Sequence, residues 1–230
     1  MPKLTASILK TVRLQAFNKQ EDSLMKKLTA IVLAVITVLC VFAACGKNGG
    51  TKNKPEAETL TFEDYEYVLL EDGSAKIVKY NATESVDELT IPDTIENASV
   101  TVIGESAFEG CKLIRKVNLP MSVVTVEKKA FASSSAGFVF NTSGNALKAI
   151  EDEAFKDCTN LVQFDIRGVE TIGKDAFAGC TALQVFTIRS DVQLSNDSFT
   201  DANNFKVVTH EECKNLVKFA KDNGHEVQIF

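Results

Sequence analysis

The sequence predicts a β-rich solenoid built from about five α/β coils that have short helical turns and share one core. The main observation is a recurrent phenylalanine, preceded by alanine or serine, at Phe108, Phe131, Phe155, Phe177 and Phe199. The spacings between them are 23, 24, 22 and 22 residues. Internal periods of about 20–50 residues are typical of repeat architectures, whose units bury their apolar faces only by stacking.

Apolar residues also recur at fixed offsets from each phenylalanine. Those five residues before it are Ile103, Val126, Ile150, Ile172 and Leu194, and those nine after it are Val117, Phe140, Phe164, Phe186 and Val208. The alternation around the second set predicts a half-buried strand in each coil. Its inward residues are the set just named. The outward ones, eight and ten after, are Lys116 and Asn118, Val139 and Asn141, Gln163 and Asp165, Val185 and Thr187, and Val207 and Thr209.

Both ends of the repeat array are predicted to carry caps. "YEYVLLEDGSAKIVKY" has a hairpin signal at Asp72-Gly73, and "LTIP" from Leu89 reads as a partial first coil. Near the carboxyl end, apolar residues at helical spacing precede Asn223-Gly224 and a last strand, "EVQIF". We therefore assign 59–102 to an amino-terminal cap with the partial coil, 103–209 to the solenoid and 210–230 to a carboxyl-terminal cap.

The repeat can be written I-G-x-x-A-F-x-x-C-x-x-L-x-x-V-x-L-P, and "IGESAFEGCKLIRKVNLP" from Ile103 matches it almost throughout. This pattern resembles the BspA-like leucine-rich repeat of bacterial surface proteins, over about Thr59 to Phe230. The resemblance implies a right-handed solenoid and, in many members, surface display with adhesion or binding roles. It implies no shared catalytic site. The Phe131 coil departs from the pattern at Ser134 and Gly137, so we expect it to be looser than the others.

The amino-terminal region predicts export. From Met25, two lysines, an apolar run and "FAAC" follow in the order of a secretory signal. The ending resembles a bacterial lipobox, which implies lipidation of Cys45 and anchoring to the outer face of the cytoplasmic membrane or to the cell surface. An uncleaved single-span anchor is the alternative. We assign 1–24 to a mis-assigned extension, 25–44 to the signal peptide and 45–58 to a lipidated flexible tether.

Three cysteines, Cys111, Cys158 and Cys180, stand three residues after their phenylalanines. A buried thiol, a disulfide between Cys158 and Cys180, and a metal site are the alternatives. We favour the buried thiol, because equivalent side chains in stacked coils point in parallel whereas a disulfide needs a torsion near 90°. The chain also has no C-x-x-C pair of the kind that zinc sites usually contain, so we expect no metal.

Charge and motif content narrow the function. The net charge is −6, and since residues before Cys45 carry six Lys/Arg against two acidic residues, or +4, the remainder carries −10. An acidic body argues against nucleic-acid binding. Only two histidines occur, His210 and His225, and no nucleophile, nucleotide or metalloprotease motif appears. We therefore expect no enzymatic activity and no cofactor.

The remaining expectation is a surface-anchored binding or adhesion module with an unknown protein or glycan partner. Arg167, Val185, Arg189 and Val207 are the candidate binding residues, because arginine and apolar surface are enriched at interface cores. Valine also suits any exposed strand position. The alternative function is a structural spacer or scaffold of the cell envelope without a dedicated ligand.

Overall fold

A computed structural model describes residues 57–141, 146–195, 197–202 and 204–230, which form two sheets facing a common core. The nine-stranded sheet contains β1 (Leu60–Phe62), β2 (Tyr65–Leu69), β3 (Ala75–Tyr80), β5 (Thr94–Ile95), β6 (Ala98–Ile103), β8 (Thr125–Val126), β10 (Ala149–Ile150), β12 (Thr171–Ile172) and β14 (Gln193–Leu194). The seven-stranded sheet contains β4 (Val86–Thr90), β7 (Ile114–Asn118), β9 (Phe138–Asn141), β11 (Gln163–Ile166), β13 (Val185–Ile188), β15 (Lys206–Thr209) and β16 (Glu226–Ile229). One helix, α1 (Lys214–Asp222), lies between β15 and β16.

Each central coil contributes one short strand to the first sheet and one longer strand to the second. Neighbouring coils pair in parallel, so that Val126, Ile150 and Ile172 align in one sheet, while Phe164 and Phe186 align in the other. The predicted fold class, a β-rich repeat solenoid, is confirmed. The number of turns is about seven rather than five, because β4 and β16 complete the seven-stranded sheet at its two ends.

The recurrent phenylalanines form a stack along the core. Successive ring centroids lie 4.7, 5.1, 5.3 and 5.1 Å apart, with planes within 10° of parallel, in the order Phe108, Phe131, Phe155, Phe177 and Phe199. Phe131 is 0% exposed, which contradicts the expectation that its coil is loosely packed. Its substituted positions are filled: Ser134 is buried against the Cys158 thiol, and Ala136 and Gly137 are buried as well.

The caps extend this aromatic stack beyond the repeats. Tyr80, from the hairpin β2–β3, lies 5.1 Å from Phe108, and Phe219, from α1, lies 5.3 Å from Phe199. The first turn of α1 receives a hydrogen bond from another coil, because the amide of Asn215 donates to the Asp191 carboxylate at 2.8 Å. Both ends of the core are thereby covered, as stacked repeats require.

The predicted register is wrong by one residue in two coils. In the Phe131 coil, Val139 pairs with Val117 and Phe164 and is 0% exposed, so Phe140 faces outward with Phe138. This happens because the chain reaches the inward position of β9 eight residues after Phe131, against nine in its regular neighbours. Asn141, also predicted to face outward, is buried.

The Phe199 coil shows the same shift. Val207 pairs with Phe186 and is 0% exposed, while Val208 pairs with Thr187 on the other face and is half-buried. Val207 was a candidate binding residue, and this assignment is wrong because its side chain is part of the core.

The predicted signal peptide, Cys45 and most of the tether lie outside the described residues. Within the part of the chain that the structure describes, no helix has the length and apolar character needed to cross a membrane.

Candidate binding surface

The outward side of the seven-stranded sheet, here called the outer face, presents two rows of side chains across the coils. The first row is Glu88, Lys116, Phe138, Gln163, Val185, Lys206 and Glu226. The second row is Thr90, Asn118, Phe140, Asp165, Thr187, Val208 and Gln228. Parallel pairing fixes both rows, since each coil places its equivalent residue beside that of its neighbour.

An aromatic pair dominates the centre of the outer face. Phe138 and Phe140 are half-buried, and their ring centroids lie 6.4 Å apart with planes 12° from parallel. The Nζ atom of Lys116 lies over the Phe140 ring, 5.4 Å from its centroid. Sequence analysis missed both phenylalanines, and the signal that would have found them is the alternation of "FVF" itself, with valine as the inward residue.

Ion pairs occupy both ends of the outer face. At one end, the Lys116 ammonium lies 2.7 Å from the Glu88 carboxylate, which also accepts a hydrogen bond from the Asn118 amide. At the other end, Lys206 pairs with Glu226 at 3.0 Å. The outer face thus has apolar residues on its middle strands and charged pairs on its outer strands.

The candidate arginines lie where strands β11 and β13 end. Arg189 is fixed from two sides, because its Nη1 atom donates to Asp165 at 2.6 Å and its guanidinium lies 4.8 Å from the Phe230 ring centroid. Arg167 is exposed. Of the four candidate residues, the structure thus leaves Arg167, Val185 and Arg189 accessible and buries Val207.

A groove borders the aromatic pair at the amino ends of the strands. It has a volume of about 480 Å³ and is lined in part by Leu113, Arg115, Phe138 and Val162. Apolar walls beside one exposed guanidinium suit an apolar side chain or ring with a polar group attached. The aromatic pair is therefore accessible from the groove as well as from above the sheet.

The recurrent cysteines are core residues rather than ligands. Cys111, Cys158 and Cys180 are free thiols. The Sγ atoms of Cys158 and Cys180 donate to the carbonyls of Phe131 and Phe155, in the preceding coil, at 3.0 and 3.2 Å. Within the described ranges, no group of three or more His, Cys, Asp and Glu residues is placed to hold a metal ion.

We expect Cys158 and Cys180 to resist alkylation in the folded protein. Burial raises the pKa of both thiols, which disfavours the reactive thiolate. After native treatment with iodoacetamide at pH 8, peptide mass spectrometry should find both unmodified, and the half-buried Cys111 should be modified first. Unfolding in guanidinium should make all three react. Rapid native alkylation of Cys180 would contradict its place in the core.

The strongest pKa shifts lie in the core. Burial is the main cause that raises the pKa of Tyr65 and of the two buried thiols, and that lowers the pKa of His225. His225 stacks on Phe205 inside the carboxyl-terminal cap, with 4.0 Å between ring centroids. These shifts reflect packing, and they do not bring an activated nucleophile or base onto the outer face.

The stacked coils, the continuous phenylalanine core and the broad parallel sheet define a leucine-rich-repeat solenoid. The family model described as the BspA type leucine-rich repeat region matches residues 78–206 in six copies. The chain belongs to this family. No curated protein matches the chain.

Several solved bacterial structures share the fold. A leucine-rich repeat protein of T. pallidum is 23% identical with a TM-score of 0.58, and the match covers 66% of this chain and 71% of that one. A leucine-rich cell surface protein of Faecalibacterium prausnitzii is 20% identical (TM-score 0.48; 68% and 46% covered). A leucine-rich repeat protein of Bacteroides capillosus is 26% identical (TM-score 0.46; 66% and 98% covered). This chain thus corresponds to under half the length of the F. prausnitzii protein.

Proposed function

We propose that this chain is a surface-anchored, non-enzymatic binding or adhesion module that recognises a protein or glycan partner through the outer face. The observation that carries the proposal is the pair Phe138 and Phe140, half-exposed at the centre of a sheet whose ends carry ion pairs. A folded domain gains nothing in core packing from two phenylalanines on its outer side. Their burial by a partner would contribute to affinity.

The layout of the outer face matches the anatomy of protein interfaces. Interface cores are enriched in aromatic residues and depleted of charge, and charged residues lie at the rim. Here Val185 and Val208 extend the apolar centre, and the one central carboxylate, Asp165, is neutralised by Arg189. The stacked strands hold these side chains in fixed rows, so that little conformational entropy is lost on binding.

Family membership supports a binding role rather than catalysis, since the repeat supplies a broad surface and no common reactive site. The alternative is a structural spacer or scaffold of the cell envelope. A spacer needs the stacked core but has no use for an aromatic centre on the outer face, so the two functions differ in what Phe138 and Phe140 do.

Export and lipid anchoring are part of the proposal, and they rest on the sequence from Met25 to Cys45. Mass spectrometry of the native protein should find a mature chain that begins at Cys45 and carries diacylglycerol, because two acyl chains anchor a protein stably. Cys45→Ala should abolish both processing and lipidation. An intact signal peptide in the native protein would contradict this prediction.

A comparison of ligand binding tests the outer face. The parent chain and the double variant Phe138→Ser/Phe140→Ser are applied to the same protein and glycan arrays. Any ligand of the parent should bind the double variant about tenfold or more weakly, because truncation of aromatic anchors removes the largest contributions to an interface. Lys174→Gln, which alters an exposed residue that follows β12 of the other sheet, is the matched control and should bind as the parent does.

The outcomes separate the two functions. Binding by the parent and by Lys174→Gln, with loss in the double variant, supports the binding module. Equal binding by all three chains places the site elsewhere. A parent that binds nothing favours the spacer. Melting curves check that the double variant remains folded, which we expect because neither ring is part of the core.

A further inference from the structure

A second groove lies at the corner where the chain leaves the seven-stranded sheet for the nine-stranded one. It has a volume of about 420 Å³, in the range of small-ligand sites. Its lining residues are Lys148, Arg167, Gly168, Glu170, Arg189 and Ser190. Three of these side chains are cationic and one is anionic.

The charges in this corner groove are not fully balanced from within. Glu170 pairs with Lys148, which leaves the two arginines. Within the described ranges, Arg167 forms no ion pair and is exposed. The excess of positive charge occurs in a body whose net charge is −10, as the sequence gives it. By contrast, a groove on the nine-stranded side is lined by Lys128 with Glu151 and Asp152 and is net negative.

Arg189 is preorganised for an anion. Asp165 and the Phe230 ring hold its guanidinium in place, and its side chain remains 23% exposed. A guanidinium has five N–H donors, and the bond from Nη1 to Asp165 leaves others free. Arg167 occupies the equivalent position one coil earlier, directly after β11, as Arg189 does after β13. Two guanidiniums on neighbouring coils match the planar, two-oxygen geometry of a carboxylate.

We propose that this corner groove binds the carboxylate of an acidic saccharide, with Arg167 and Arg189 as its cationic partners. The proposal rests on the function proposed above and names the class of ligand. A saccharide fits better than an acidic peptide, because no apolar side chain lines the groove to receive a peptide's apolar residues. The hydroxyl of Ser190, which donates to the Val169 carbonyl at 2.5 Å, keeps lone pairs that accept hydrogen bonds from sugar hydroxyls.

Calorimetric titration of the full chain with tetragalacturonate tests the proposal. We expect saturable binding that is about tenfold or more weaker for Arg167→Gln, since a charge-assisted hydrogen bond is lost. The methyl ester of tetragalacturonate, which has no free carboxylate, should bind more weakly by a similar factor. Arg189→Lys keeps the charge but removes the planar fork, and it should weaken binding too.

Controls decide between a site and diffuse attraction. Lys174→Gln makes the same charge change outside the groove and should leave binding unchanged. Equal losses in Lys174→Gln and Arg167→Gln, equal affinity for the acid and its ester, or no binding of tetragalacturonate would each overturn the proposal. So would tetraglutamate binding as tightly as tetragalacturonate, which would assign the groove to acidic protein segments.

Two further features keep the test interpretable. Arg167 is exposed, so Arg167→Gln should melt as the parent does, and it decides the matter alone if Arg189→Lys unfolds. Failure here leaves the outer face untouched, because the array experiment depends on Phe138 and Phe140. Conversely, loss of the array result would not change the titration with tetragalacturonate.

Discussion

Phe155→Ala and Phe177→Ala should each lower the free energy of unfolding by about 3–5 kcal/mol, the usual range for a buried phenylalanine replaced by alanine. Each ring is 0% exposed and stacks on a ring above and a ring below at 5.1–5.3 Å. Truncation leaves a cavity between two coils that the regular backbone cannot easily close. Phe131→Ala should cost as much, because its ring is equally buried.

Phe138→Ala supplies the matched control, since it lies in the same coil as Phe131 but on the outer face. Its loss should change the stability by less than about 1 kcal/mol, as surface substitutions usually do. Urea unfolding followed by circular dichroism gives the comparison. Equal losses for Phe131→Ala and Phe138→Ala would mean that the register of this coil is wrong.

Gly173→Ala should destabilise the protein by about 1–3 kcal/mol through steric conflict. A Cβ atom at this position would lie 2.6 Å from the Asp152 amide nitrogen and 2.5 Å from the Asp152 Oδ1 atom. That Oδ1 accepts a hydrogen bond from the Lys174 amide at 2.8 Å, so relief of the clash would also break a bond between coils. Gly104, at the same position of an earlier coil, is equally crowded by the Ile77 carbonyl.

The adjacent residue serves as the reference for this substitution. Lys174→Ala removes only an exposed side chain and should stay within about 0.5 kcal/mol of the parent. Thermal melts of the two variants should therefore separate clearly. If Gly173→Ala melts with the parent, the recurrent Ile-Gly pair is not explained by close approach of the backbones.

The fold was predictable because repetition multiplies a weak local signal. A single "AF" dipeptide carries little information, but five at nearly constant spacing, with aligned apolar residues, predict both the stacked core and the strands. The hairpin and the terminal helix were also predictable, from turn chemistry at Asp72-Gly73 and from helical spacing before Asn223.

The outer face was harder to predict, because it depends on a one-residue register that period counting cannot supply. In a strand, a shift of one residue exchanges the two faces. The chain reaches its strand one residue early in the Phe131 and Phe199 coils, so fixed offsets placed Phe140 inside and Val207 outside. The half-buried Phe138 and Phe140 follow from pairing with neighbouring strands, which only the assembled sheet defines.

Site-specific photo-crosslinking tests the proposed binding role most directly. A photoreactive phenylalanine analogue replaces Phe138 in one chain and Lys174 in another, and each is displayed on the cell that produces the protein. The proposal predicts a crosslinked partner from position 138 and none from position 174. Crosslinking from 174 alone would put the partner on the other sheet, and silence at both positions would contradict a binding role and favour the spacer.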